Sequence, residues 1–130
     1  NINLYSRLNS NGVDVYTRGI MCFERAVASF QLGLGVKTEG NLIISGTKGY
    51  AYVPSPWWKT DYFELRYEDQ NLNKKYFYKW DEPGLRYEIQ EFVSCIINHR
   101  NHSPRLTPKE SIAMAAIMEQ FTNRENFVEL

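Results

Sequence analysis

The chain has 130 residues, 43% of them hydrophobic, and its fifteen basic and fifteen acidic side chains cancel. The length fits one domain, the neutral balance gives no electrostatic footprint for nucleic acid or an anionic membrane, and no apolar run approaches the roughly 20 residues that span a bilayer. Two cysteines, Cys22 and Cys95, make no disulfide framework, which predicts a reducing, cytoplasmic setting.

Alternating hydrophobicity dominates the first two thirds of the chain and predicts short strands. Asn11-Gly12 and the turn at residues 46–49 punctuate the pattern, and Glu24-Arg25 joins two strands in a tight hairpin. The chain opens on Asn1 directly in strand-like sequence, which predicts a piece of a longer protein. The predicted strands span residues 2–8, 15–23, 26–32, 42–45, 50–53, 62–67 and 75–80.

Helical spacing takes over in the last third. Apolar residues recur every three or four positions from Leu85 to Asn98, which predicts a first amphipathic helix. Thr107, Pro108 and Glu110 predict the start of a second helix, since they supply an N-cap, a first-turn proline and a capping box.

Strands in a run followed by helices in a run predict an α+β fold. We expect an open, predominantly antiparallel sheet of six or seven strands with two C-terminal helices packed on one face. No strand pattern follows the helices, so they are not expected to connect parallel strands. The second sheet face carries apolar and aromatic residues, which predicts a partner, in the first instance a homodimer formed through that face.

Four stretches of the sequence resemble segments of the Gfo/Idh/MocA oxidoreductases, the glucose-fructose oxidoreductase and inositol dehydrogenase superfamily. Residues 42–54, L-I-I-S-G-T-K-G-Y-A-Y-V-P, resemble a recurring segment of the family. In the family's own order, residues 21–31 resemble the preceding hairpin, residues 84–96 the first C-terminal helix, and residues 106–111 the start of the last helix. The likeness covers about residues 13–121, and Glu24-Arg25 departs from it, since relatives more often carry a glycine-containing turn there.

The resemblance implies that residues 1–130 are a single domain, a fragment of the C-terminal substrate and dimerisation domain of a larger enzyme. The N-terminal Rossmann domain, which in this family binds NAD or NADP, is then missing, and the substrate of the parent is a sugar, polyol or nucleotide sugar.

The family's catalytic residues do not carry over to this chain. It contains no Lys-Pro pair, and Pro108-Lys109 is the reverse order. His99 and His102 lie far from where the family carries its helical histidine. Gly33 and Gly35 begin a G-x-G-x-x-G spacing, but Thr38 ends it. We therefore predict no catalytic, cofactor or metal site within the chain, and neither nucleotide binding nor turnover by the chain alone.

Four residues are candidates for substrate binding. Trp57 and Trp58, held between prolines and Lys59, can stack on a sugar face, although covering a sheet edge or a subunit contact is the more common role of such residues. Arg86 and Tyr87 begin the first helix, where they either face the pocket or form a solvated first turn, the reading we favour.

Three other features are interpreted as structural. His99 and His102 have no third metal ligand nearby, the cysteines read as buried small side chains, and Lys48 lies in a turn between strands, where no helix opens to bind phosphate. The alternative function is a stand-alone carbohydrate- or protein-binding module, which the 15% aromatic content and the Trp pair favour. A parent that has lost catalysis or is fused to another enzyme is also compatible with the sequence.

Overall fold

The computed structural model describes residues 1–79 and 84–130. They form two compact units, one of Asn1–Thr38 with Ile89–Leu130 and one of Glu39–Glu88. In chain order the elements are β1 (Ile2–Leu8), β2 (Asp14–Cys22), β3 (Val27–Gly33), β4 (Leu42–Ser45), β5 (Gly49–Val53), β6 (Tyr62–Tyr67), a short 3-10 helix (Gln70–Leu72), β7 (Lys74–Phe77), α1 (Leu85–Ile97), α2 (Pro108–Thr122) and β8 (Phe127–Glu129).

The first unit contains a four-stranded sheet in the order β3-β2-β1-β8. Strand β1 is central, antiparallel to β2 and parallel to β8. Its alternate residues Ile2, Leu4 and Ser6 are buried, as the period-2 pattern predicts. Gly19 lies opposite Leu4 on one side and Phe30 on the other, and a side chain at Gly19 would overlap the Phe30 ring. The glycine therefore lets the ring lie flat over the strand.

Two buried hydroxyls lie among these apolar residues. Ser6 and Thr17 are almost fully buried and hydrogen-bond each other. The Tyr16 carbonyl lies 3.1 Å from the Ser6 hydroxyl and the Asp14 carboxylate lies 3.2 Å from the Thr17 hydroxyl, so one hydroxyl donates to the other and the second donates to its own backbone or carboxylate acceptor. The polar groups are thus satisfied, which removes the penalty that an unpaired hydroxyl would carry in a core.

Helix α2 lies on the inner face of this sheet, where it shares a cleft with β1, β2 and β3. Phe121 meets Phe127 of β8 edge to face, with ring centroids 5.8 Å apart. The predicted capping box is confirmed: Thr107 Oγ1 accepts from the Glu110 amide, and Glu110 accepts from the Thr107 amide at 2.7 Å. The hydrogen bond from the Thr107 amide is the main cause that holds the pKa of Glu110 below its ordinary value, and the hydrogen bond from the Thr107 hydroxyl is the second cause.

Helix α1 keeps most of its apolar stripe exposed, and Cys95 is its buried residue. One ion pair ties it to the loop that follows. Glu91 accepts from the Ser103 hydroxyl at 2.9 Å and lies 3.3 Å from the Arg105 guanidinium. The apolar stripe comprises Leu85, Ile89, Phe92, Val93, Ile96 and Ile97, each between 44% and 70% exposed.

The second unit contains an antiparallel sheet in the order β4-β5-β6-β7. No described residue of these four strands is buried; they are half-buried or exposed. On one face, which we call the apolar face, lie Leu42, Ile44, Ala51, Val53, Phe63, Leu65, Tyr67 and Tyr76, with Lys74 as its one charged strand residue. The opposite, charged face carries Ile43, Ser45, Tyr50, Tyr52, Tyr62, Glu64, Arg66, Lys75 and Phe77.

The α+β class, the antiparallel pairing and the position of the two helices after the main run of strands are confirmed. The single open sheet is not, since the strands divide into two sheets of four. The expectation that no strand follows the helices was wrong, because β8 pairs in parallel with β1. Strand β8 has only three residues, which are too few to show the alternation of apolar and polar residues that predicts a strand. Strand β7 ends at Phe77, and Trp80, which we had placed in it, lies outside the described residues.

Candidate functional site

The loop between β5 and β6 positions the tryptophan pair. Pro54 ends the strand, as expected for a residue without an amide donor. The Trp57 amide donates to the Gly40 carbonyl at 2.8 Å, and the Lys59 amide donates to the Pro56 carbonyl at 2.9 Å. Two backbone hydrogen bonds thus fix the loop at its centre.

The two indole rings lie perpendicular to each other, with centroids 6.0 Å apart. Trp58 also packs over Gly40, where an added side chain would come within 3.4 Å of the ring. Nonetheless Trp57 is 49% exposed and Trp58 62% exposed. An edge-to-face pair of this kind presents open ring surface beside a fixed loop, and such a surface can stack on the apolar face of a ring-shaped ligand.

The other two candidate residues lie on a different element. Arg86 and Tyr87 are in the first turn of α1, where Arg86 is exposed and Tyr87 half-buried. The Tyr87 amide donates to the Gly84 carbonyl at 3.0 Å. Both Arg86 and Tyr87 are engaged in interactions with other residues. A role for any of the four in binding substrate stays a prediction.

A cluster that the sequence analysis missed lies on the charged face of the second sheet. Arg66 donates to Glu64 through Nε at 2.7 Å and through Nη2 at 2.6 Å. Its guanidinium lies 4.3 Å from the centre of the Tyr52 ring and 6.0 Å from the centre of the Tyr50 ring. Lys75 approaches Glu64 at 3.5 Å and lies 3.5 Å above the Tyr62 ring.

These contacts set the charge state of the cluster. The hydrogen bond from Arg66 is the main cause that holds the pKa of Glu64 below its ordinary value. The neighbouring Tyr50 and then the hydrogen bond to Glu64 raise the pKa of the Arg66 guanidinium. The cluster contains one carboxylate and two cations, so it keeps a net positive charge. Its members come from the three strands β5, β6 and β7, and the sequence alone does not indicate that these strands lie side by side.

The turn containing Lys48 is structural, as interpreted from the sequence. It connects β4 to β5, and the Gly46 amide donates to the Gly49 carbonyl at 2.9 Å. A side chain at Gly49 would collide with the Arg66 carbonyl oxygen of the neighbouring strand. Glycine is therefore required at this close approach between β5 and β6.

The two histidines lie in the loop that follows α1. His99 and His102 are exposed in the loop after α1, and His99 has a positive φ of 51°. Within residues 1–79 and 84–130, no group of three or more His, Cys, Asp or Glu residues is placed to hold a metal ion. Cys22 is exposed and Cys95 buried, both with free thiols, so the expectation that both are buried was wrong for Cys22.

The first unit contains a cleft of about 330 Å³ between α2 and the inner face of its sheet. Its walls are mainly apolar, and Asp14 and Thr17 are polar members of the lining. The remaining lining residues are Leu4, Phe30, Leu32, Ile117, Met118, Phe121 and Thr122.

Comparison with known proteins gives a partial match. The chain is 27% identical over 126 residues to trans-1,2-dihydrobenzene-1,2-diol dehydrogenase of Oryctolagus cuniculus. The match covers 92% of this chain and 38% of that protein, so the chain spans well under half the length of its relative. No family model matches the chain. Across the helices that the structure describes, none combines the length and the apolar content needed to cross a membrane.

Proposed function

We propose that this chain is part of an NAD(P)-dependent oxidoreductase of the Gfo/Idh/MocA type, in which it walls the substrate pocket and forms a subunit interface. The observation that carries the proposal is the similarity to a dehydrogenase along 92% of the chain. The ordered motifs at residues 21–31, 42–54, 84–96 and 106–111 support it. Hydride transfer and binding of NAD or NADP then belong to the part of the enzyme outside this chain. The two free thiols fit a cytoplasmic protein.

The substrate class follows from the tryptophan pair together with the relative's name. Sugars and cyclic polyols share with a dihydrobenzenediol a six-membered ring that carries adjacent hydroxyls. The exposed surfaces of Trp57 and Trp58 suit the faces of such a ring. We therefore propose a cyclic substrate with adjacent hydroxyls, and stacking on the indoles as the contribution of this chain to its recognition.

The test is a titration of the isolated chain, followed by tryptophan fluorescence and NMR. We expect weak binding of trans-1,2-dihydrobenzene-1,2-diol, inositol or glucose, lost in Trp57→Ala or Trp58→Ala and kept in Phe23→Ala, which removes an aromatic ring that is 61% exposed in the other unit. NAD and NADP should not bind. Tight binding of either nucleotide, or ligand binding that survives both tryptophan substitutions, would contradict the proposal.

The interface role concerns the apolar face of the second sheet. A sheet face whose apolar side chains reach solvent is the usual mark of a surface that meets a partner, and we propose a homodimer formed through it. Light scattering over a range of concentrations should show a dimer that Ile44→Glu dissociates. Ile43→Glu is the matched control, since the two residues are 53% and 59% exposed but lie on opposite faces of β4. A monomer at all concentrations would oppose this part of the proposal.

A stand-alone carbohydrate- or protein-binding module is the second candidate, and the exposed tryptophan pair favours it. The two functions differ in what must accompany the chain. An oxidoreductase needs a nucleotide-binding region with a Lys-Pro motif elsewhere in the same protein, whereas a binding module needs none. Specific sugar binding by a protein without such a region would favour the module.

A further inference from the structure

The outer face of the first sheet, which points away from α2, carries a pattern that the proposed function does not use. Register pairs Tyr5 with Arg18 and Arg7 with Tyr16. The two arginines therefore occupy one diagonal of a four-residue square and the two tyrosines occupy the other. Diagonal neighbours on an antiparallel pair are about 7–8 Å apart, so two guanidiniums on flexible stems can reach the same anionic group or two adjacent ones.

This face has no carboxylate of its own. Its strand residues, read from the register, are Asn3, Tyr5, Arg7, Tyr16, Arg18, Ile20, Cys22, Val27, Ser29, Gln31 and Val128, without Asp, Glu or Lys. Arg7 and Arg18 are exposed, and among the residues that the structure describes neither has an ion pair or a side-chain hydrogen bond. The positive charge of the face is uncompensated.

Two carboxylates on strands of this sheet, those of Asp14 and Glu129, are engaged elsewhere. Asp14, at the start of β2, accepts from Thr17, whose side chain lies on the inner face. Glu129 pairs with Ser6, also an inner-face position, and lies 3.7 Å from the Arg124 guanidinium. Neither carboxylate is therefore directed to the two arginines by its contacts, and both guanidiniums are open to a carboxylate from another molecule.

We propose that this outer face docks an acidic segment of a partner protein, with two carboxylates received by Arg7 and Arg18. Guanidinium forks bind carboxylates in a bidentate geometry. Tyrosine and arginine are the residue types enriched at the centres of protein interfaces, where Lys, Glu and Asp are depleted. A second copy of the same face is a poor occupant, because it brings two more arginines and no carboxylate.

Hexaglutamate peptide is the probe, titrated into the isotope-labelled chain at low salt. We expect amide shifts confined to β1 and β2, and an affinity that falls as salt is added, since exposed charges are screened. The double variant Arg7→Gln/Arg18→Gln should lose at least tenfold in affinity, and Arg7→Lys/Arg18→Lys should lose less. Arg25→Gln is the control, an exposed arginine in the β2–β3 turn.

Several outcomes would overturn the proposal. They are the absence of peptide binding, equal binding by the double variant, and shifts that map to another face. Inorganic phosphate binding as tightly as the peptide would assign the site to small anions instead. A dimer that the double variant dissociates would assign the face to a second copy. If the double variant misfolds, the map of wild-type shifts decides alone.

Discussion

The two sheets have equal numbers of strands but differ in what covers them. In the first, α2 lies on the inner face and Ile2, Leu4, Ser6 and Thr17 are buried. In the second, every described strand residue keeps contact with solvent. Alternation along a strand decides which side chains share a face, but burial is decided by the element that covers that face. One sheet therefore has a core within this chain, and the other offers a surface.

The largest expected effect tests this difference directly. Leu4→Ala should lower the free energy of unfolding of the first unit by roughly 2–5 kcal/mol, because it leaves a cavity in a site that is 1% exposed. Leu65→Ala in the second sheet is the control and should cost clearly less, since Leu65 is only half-buried. Urea unfolding followed by hydrogen exchange at the amides of each sheet measures both. Equal losses would erase the distinction between the sheets.

The buried hydroxyl pair should give the next effect. Thr17→Val removes one hydroxyl and leaves Ser6 without its side-chain partner, at a cost of about 1–3 kcal/mol. The double variant Ser6→Ala/Thr17→Val should lose less than the sum of the two single changes, because neither hydroxyl is then left facing an apolar side chain. Additive losses in the double-mutant cycle would show that the two side chains act independently.

Removing the N-cap of α2, the helix that covers the first sheet, should lower the free energy of unfolding by a smaller amount. Thr107→Ala removes the acceptor for the Glu110 amide and should cost about 1 kcal/mol. Ser111→Ala, one turn further along, should change stability less, since its hydroxyl bonds only the Thr107 carbonyl. The midpoint of urea unfolding compares them. A result in which both variants unfold like the wild type would remove the cap as a source of stability.

The smallest effect concerns the charged face of the second sheet and depends on pH. The folded pKa of Glu64 lies below its ordinary value of 4.5, chiefly because Arg66 donates to it. Its contribution to stability is therefore complete above 4.5 and is lost as the pH falls through the folded pKa. The free energy of unfolding of the second sheet should therefore fall less steeply with decreasing pH in Glu64→Gln than in the wild type. Glu68 is an exposed residue in the next loop, and Glu68→Gln should leave this pH dependence unchanged. If Glu64→Gln has the same pH dependence as the wild type below pH 4.5, the contact between Glu64 and Arg66 contributes nothing to stability.

The sequence predicted the elements better than their assembly. The period-2 pattern located seven strands, and Thr107 with Glu110 located the start of α2 within a residue. The division into two sheets was not predictable, because a strand pattern does not say which strands pair. Strand β8 was missed because Phe127–Glu129 is held by hydrogen bonds to β1 and has no local period of its own.

The candidate site was predicted in part. The doublet Trp57-Trp58 between prolines and Lys59 was visible as a possible surface, and the structure shows both rings partly exposed in a loop tied to Gly40. The Arg66 cluster was invisible, since it depends on residues of three strands meeting in register. Arg7 and Arg18 likewise become neighbours only through the β1–β2 pairing.

The parallel pairing of β8 with β1 has a consequence for how the protein is made. Strand β1 is synthesised before the other strands of its sheet, and its antiparallel neighbour β2 follows within a few residues. Its other edge is filled only by residues 127–129, after both helices have been synthesised. Throughout translation of the intervening chain, the central strand of the first sheet therefore presents unpaired backbone groups, the kind of edge on which nascent chains aggregate and to which chaperones have access.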